Sequence, residues 1–237
     1  MNLNRSVPPK AGAAGPPLQD LPPSHTRPPR STAGNSSAAI DGYDGGECFF
    51  VTAAKVTETT AVLEAYGSSL RPTTKLDAEF ARQIGFEAHI EFHQVTPAQC
   101  PAVTFLSRMQ NRQQGMGPRL DISTSERRVG GVLTGTIADF GNRTLSLLMI
   151  ANDGNIYNLT SRLKTAGDIK SFSVQMRQVS AATPQPQLVF GVVGSNLLET
   201  SSSELRLPAD LFAQLLAETP QDGQPLNVTS KYFKFQN

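Results

Sequence analysis

Apolar and polar positions change period along the chain, and the changes predict its elements. From Gly45 to about Arg112 the expected order is strand, strand, helix, strand, helix. Cys48–Ala54 is a short run rich in Phe and Val. Thr60–Tyr66 alternates, with Ala61, Leu63 and Ala65 opposite Val62, Glu64 and Tyr66, the two-residue period of a strand. Thr74–Ile84 instead has helical spacing at Leu76, Phe80 and Ile84. Thr74 is the expected N-cap, with Asp77 in the first turn and Gly85 just past the end. Phe86–Val95 alternates strictly, with Phe86, Ala88, Ile90 and Phe92 on one face and Glu87, His89, Glu91 and His93 on the other, as in a half-buried strand. Thr96-Pro97-Ala98-Gln99 then opens a second helix: an N-cap, Pro at the first position and Gln at the third form a capping box. This unit is expected to be a small two-layer α/β sandwich with two helices on one face of its sheet.

Gly115–Gly117 and Pro118 mark a boundary, beyond which strands dominate. They are predicted at Leu120–Thr124, Gly131–Ala138, Arg143–Ala151, Asn155–Leu159, Ser171–Gln178 and Gln187–Gly194. Asp153-Gly154 between two apolar runs is the strongest hairpin signal in the chain. Short strands with frequent turns predict an antiparallel β-sandwich. An amphipathic helix at Pro208–Glu218 should cover part of its core through Leu211, Phe212, Leu215 and Leu216, and a last strand at Leu226–Phe235 should close the sheet. The fold class is therefore α+β, with domains at 41–114 and 118–237.

Residues 1–40 read differently. Eight of the 17 prolines lie there, as the pairs 8–9, 16–17, 22–23 and 28–29, with no Phe or Tyr and with Leu3, Val7, Leu18, Leu21 and Ile40 scattered. Such a stretch cannot bury enough apolar surface to offset its ordering entropy. It predicts a disordered, semi-stiff polyproline II linker rather than an SH3-type ligand, since Pro-x-x-Pro spacings arise by chance in such tails.

Composition alters this picture in two respects. The 237 residues carry 21 Lys and Arg against 20 Asp and Glu, a net charge of +1. The linker holds Arg5, Lys10, Arg27 and Arg30 against Asp20, or +3, which leaves −2 for the remainder (+1 minus +3). A near-neutral chain argues against nucleic acid as a partner. No 18-residue apolar run could span a bilayer, and the first 30 residues lack the apolar core of a secretory signal. If Met1 is the true start, a cytoplasmic location follows. If the linker joins the folded part to an upstream membrane or kinase segment, the location is periplasmic or cell-envelope.

Candidate chemistry is sparse. There is no Walker loop, zinc-ligand pattern or nucleophile elbow, and no catalytic, cofactor or metal site is expected. Cys48 and Cys100 are the only cysteines. A disulfide between them is favoured over two buried free thiols, and it would close a loop of about 50 residues, worth roughly 4 kcal/mol in the chain-entropy model. His89 and His93 would lie about 13 Å apart along a strand, too far to share one ion, so their face reads as solvated. Asp139-Phe140-Gly141 matches the magnesium tripeptide of protein kinases, but no His-Arg-Asp catalytic loop occurs. The tripeptide, lying between two strong strands, is expected to be a hairpin turn. An enzyme reading would need Glu87, Glu91, Asp139 or Asp153 to converge in three dimensions.

Several segments resemble a known family: Asp44-Gly45-Gly46-Glu47-Cys48-Phe49-Phe50, Gly85-Phe86-Glu87-Ala88, Gln94 through Val103, Leu147 through Leu159, and Lys231-Tyr232-Phe233-Lys234. They look like the uncharacterised C-terminal region of alphaproteobacterial serine/threonine kinases and caspase-like proteins, over residues 41–237 and without the catalytic domain. The Gly-Gly-x-Cys and Gln-Cys-Pro-Ala-Val segments are the most specific. The resemblance implies a region placed beyond a membrane span and a Pro-rich linker, outside the cytoplasm, and it carries over no catalytic residue. The expected function is a non-catalytic sensor or protein-interaction module with a protein partner. The alternatives are a cytoplasmic accessory subunit of a kinase or secretion apparatus, and an enzyme with a carboxylate site.

Overall fold

The structure is a computed structural model that describes residues 39–110, 112, 117–123, 126–128, 131–176, 184–201, 205–218 and 223–236. The linker expected at 1–40 therefore lies outside the described residues up to 38. Ile40, assigned to its end, is fully buried, and Tyr43 donates its hydroxyl to the Pro72 carbonyl at 2.7 Å.

The fold is mixed α+β. Strands β1 (Phe49–Val56) and β2 (Ala61–Gly67) form an antiparallel hairpin around the Thr57–Thr60 turn, with a register break between Ala53 and Lys55. Helix α1 (Arg71–Ile84) returns the chain to β3 (His89–Gln94), which lies parallel to β2; a parallel neighbour requires such a crossover. The helix begins three residues before the expected Thr74 cap. Pro72 in the first turn needs no N–H partner. Gly85 ends the helix at φ 91°, its N–H bonding Ala81 O as foreseen.

Helix α2 (Cys100–Gln110) follows a 3₁₀ turn at Pro97–Gln99. Two helices were expected on one face of the sheet; the structure places them on opposite faces. Leu76 and Phe80 of α1 pack with Phe49, Val51, Leu63 and Ala65, whereas α2 packs Val103, Phe105 and Leu106 with Phe50 and Tyr66. The reason is legible in β1, where Phe49, Phe50 and Val51 are all buried: successive side chains point to opposite faces, so both faces need cover.

The remaining strands form two sheets. In the four-stranded one, β4 (Arg119–Ile122), β6 (Val132–Ala138), β10 (Ile169–Gln175) and β9 (Leu163–Ala166) lie in that spatial order, all antiparallel. The six-stranded one runs β12 (Arg206–Leu207), β8 (Ile156–Asn158), β7 (Leu145–Ile150), β11 (Gln185–Val193), β13 (Asn227–Gln236) and β5 (Glu126–Arg128), antiparallel except for the β13–β5 pair. Leu147, Val189 and Phe233 on one of its faces pack with Leu120, Leu133, Ile137 and Phe172 of the smaller sheet. Its other face, with Leu148, Leu188 and Phe190, meets α2 and the later helix α4 (Leu211–Ala217) through Phe105, Leu211, Phe212 and Leu215. Apolar packing is thus continuous from Phe50 and Tyr66 through α2 into the six-stranded sheet. A short helix α3 (Asn196–Thr200) precedes β12; Glu218 accepts from its Asn196 and Leu197 N–H groups at 2.6 and 3.0 Å.

Asp153-Gly154 forms the expected β7–β8 hairpin, with Gly154 at φ 81°. Asp139–Asn142 is a turn but not a hairpin: it carries the chain from β6 in the smaller sheet to β7 in the larger one. Asp139 at φ 60° and Gly141 at φ 61° supply the left-handed conformations such a corner needs.

Gln99, 0 % exposed, is where α2 meets the six-stranded sheet. Its Oε1 accepts from Thr96 N–H at 3.1 Å, and its Nε2 donates to the carbonyls of Ile150 (3.2 Å) and Pro186 (3.1 Å). The Thr96 hydroxyl donates to Asn152 O at 2.6 Å. Replacing Gln99 with Ala should leave buried groups without partners and cost about 2–4 kcal/mol. Urea unfolding checks this: the midpoint should fall with the slope unchanged.

Candidate functional site

Two features combine polar or reactive groups with positions set by the fold. The first is the disulfide. Cys48 lies just before β1 and Cys100 is the first residue of α2; they are bonded, with Cα atoms 4.6 Å apart. Cys48 is buried and sits at φ 57°, a left-handed conformation uncommon for a side-chain-bearing residue. The Thr104 hydroxyl accepts from Cys48 N–H at 3.3 Å, so β1 is anchored to α2 by a covalent bond and a hydrogen bond one turn apart. Both cysteines of the chain are consumed.

The second is a cleft of about 510 Å³ where β1, β4, α2 and β13 converge. Asp41, Thr52, Glu64, Gln110, Arg119 and Lys231 are among its lining residues. Within it, Lys231 Nζ lies 2.9 Å from Glu64 Oε1, and Tyr66 donates its hydroxyl to Glu64 Oε2 at 2.7 Å. The pair is half-buried, Glu64 at 15 % and Lys231 at 32 % exposure. Burial pushes the Glu64 carboxyl up, but hydrogen bonds from Lys231 and Tyr66 and the charges of Lys231 and His93 outweigh it and hold the group below its ordinary value of 4.5. Burial, with the Glu64 charge next, pushes the Tyr66 phenol well up. These groups satisfy one another. The cleft offers polar side chains and a fixed ion pair to a ligand, with the carboxylate held ionised.

Beside the cleft, the His93 ring stacks on Tyr232 at 4.6 Å and lies 5.0 Å from Tyr66. Tyr232 donates its hydroxyl to Gln94 O at 3.2 Å, and burial pushes its phenol up to about 12. This corrects the expectation of a fully solvated Glu87–His93 face. Glu87, His89 and Glu91 are exposed, but His93 is partly buried because β13 crosses that end of β3. The period-2 pattern could not reveal a covering strand more than 130 residues away in sequence.

The four surface carboxylates occupy separate places. Glu87 precedes β3 and Glu91 lies within it. Asp139 is in the corner between sheets, 3.6 Å from Arg119, and Asp153 is in the β7–β8 hairpin, bonded to Asn155. Among the described residues, no group of three or more His, Cys, Asp or Glu is placed to hold a metal ion, and no helix is long and apolar enough to cross a membrane. Sequence reasoning missed Glu64, Lys231 and Tyr66 as a set. The one signal available was polar Glu64 in an otherwise apolar strand. No protein-family model matches the chain, and no curated protein matches it.

Burial of His93 favours its neutral form and lowers its pKa from 6.5, against the opposing charges of Glu91 and Glu64 and with those of Lys231 and Lys234. The folded state therefore binds this proton less readily than the unfolded state. The contribution is fully present above 6.5 and is lost as pH falls through the lower, folded value. Glu64 adds a second loss below 4.5. Unfolding free energies measured from pH 8 to pH 4 should fall in the first of these windows for the native chain, and His93→Phe should flatten that step. Lys231→Met should move the Glu64 titration upward, read by carboxyl NMR.

Proposed function

We propose that the chain is a non-catalytic sensor or protein-interaction module that works in an oxidising compartment, as the extracytoplasmic part of a bacterial signalling protein. The observation that carries this reading is the Cys48–Cys100 bond, which spans 52 residues and uses both cysteines. Bonds of this kind persist where thiols are not kept reduced. The resemblance of residues 41–237 to the region beyond the membrane span of alphaproteobacterial kinases supports the same compartment. The cleft supports binding rather than turnover, because Glu64, Lys231 and Tyr66 are committed to each other. An upstream span or kinase segment would couple occupancy of the folded part to the cell interior, with a protein as partner.

The test is peptide mapping without reductant on protein taken from its native cell fraction. A Cys48–Cys100 peptide pair in the periplasmic or envelope fraction is the expected result; free thiols at both positions would overturn the reading. In vitro, Cys48→Ser/Cys100→Ser should lose about 4 kcal/mol of stability, measured by denaturant titration against the oxidised chain.

A further inference from the structure

The outer edge of β3 closes the three-stranded sheet. Val95 N–H bonds Gly67 O of β2 at 3.0 Å. Backbone groups of successive residues alternate sides along a strand, so those of His89, Glu91 and His93 face β2 and those of Ile90 and Phe92 face outward. The outward carbonyl of Gln94 already accepts from Tyr232, which blocks the edge beyond His93. Among the described residues, the open edge therefore runs from His89 to His93. Its register with β2 is unbroken. At the other end of the sheet, β1 has a register break beside Lys55, features that discourage strand addition.

We infer that β3 is a self-association edge: it pairs antiparallel with β3 of a second copy of this chain, centred on Ile90. In that register Ile90 faces its own symmetry mate through outward backbone groups, and continuing the strand by one residue would set Ala88 against Phe92 of the partner subunit. On the polar face, His89 lies opposite Glu91 of the partner subunit, whereas His93, roofed by Tyr232, takes no part. Two-fold symmetry repeats this contact, so the His89–Glu91 pair is made twice across the seam. Neighbouring registers lose this. Centring on Glu91 sets that carboxylate against itself, and centring on His89 sets that imidazole against itself and leaves Glu91 without one. Centring on Phe92 requires the Gln94 carbonyl that Tyr232 occupies. The exposed His89-x-Glu91 pair is thus complementary to itself in one register, and the product is a continuous six-stranded sheet.

Sedimentation velocity on the full, disulfide-bonded chain, diluted from about 1 mM to about 1 μM, tests this. His89 and Glu91 are both exposed, so substitutions there leave the folded core intact. The native chain should show a reversible monomer–dimer equilibrium. His89→Glu, which sets like charges opposite each other twice, should weaken the Kd about tenfold or more. His89→Glu combined with Glu91→His exchanges the two groups, restores the pairing and should return the Kd to within about threefold of native. A chain monomeric over the whole range overturns the inference. So does a dimer indifferent to His89→Glu, or a double variant no tighter than the single one.

Discussion

The Gln99 side chain makes its hydrogen bonds in a site closed to solvent: Oε1 accepts from its own turn at Thr96, and Nε2 donates to the carbonyls of Ile150 and Pro186 in strands β7 and β11. A buried amide left partly unpaired costs about 1–3 kcal/mol per group. The side chain is therefore compatible with one placement of α2 against the six-stranded sheet. The next residue, Cys100, is bonded to Cys48 at the start of β1. Two consecutive residues thus tie α2 to the sheet in front of it and the sheet behind it. The apolar cluster that includes Phe105, Phe190 and Phe212, with ring centroids 5.1 to 6.5 Å apart, fills the space those ties define.

Polar groups cross the same junction a second time at the edge of α2. Lys231 and Tyr232 of β13 reach Glu64 and Gln94 of the three-stranded sheet. An apolar contact would seal this margin without selecting a register. A half-buried ion pair and two tyrosine hydroxyls satisfy one another only when β13 sits at the right height along β2 and β3. The same groups wall one side of the cleft, so the element that aligns the sheets also shapes the surface offered to a ligand. Its dependence on protonation follows from burial of His93 beside these groups.

Much of the local structure was legible from pattern alone. The alternation that forms β3, His89–Gln94 within the expected Phe86–Val95, the Thr96–Gln99 turn, the Gly85 stop and the Asp153-Gly154 hairpin each express a preference confined to a few residues. Failures occurred where a local preference has two tertiary outcomes. Asp139–Asn142 carries turn residues, but turn chemistry does not say whether the next strand pairs with the last one or leaves for another sheet. Leu163–Ala166 forms β9 although its exposed Lys164 and Thr165 give no alternation of apolar and polar positions. The Gly167-Asp168 pair between it and β10 was the signal available.

By itself the amino-acid sequence determined the α+β class, the order of the principal elements and which cysteines existed to be joined, because each depends on residues near one another in the chain or on composition. Tertiary structure alone decided that α1 and α2 cover opposite faces, that His93 is roofed by Tyr232, and that Glu64 meets Lys231 across 167 positions. Those outcomes depend on contacts between distant segments. Amphipathic pattern states that a face will be covered but not by what, and the choice is made by the packing and hydrogen-bond partners that become available only when the sheets close on α2.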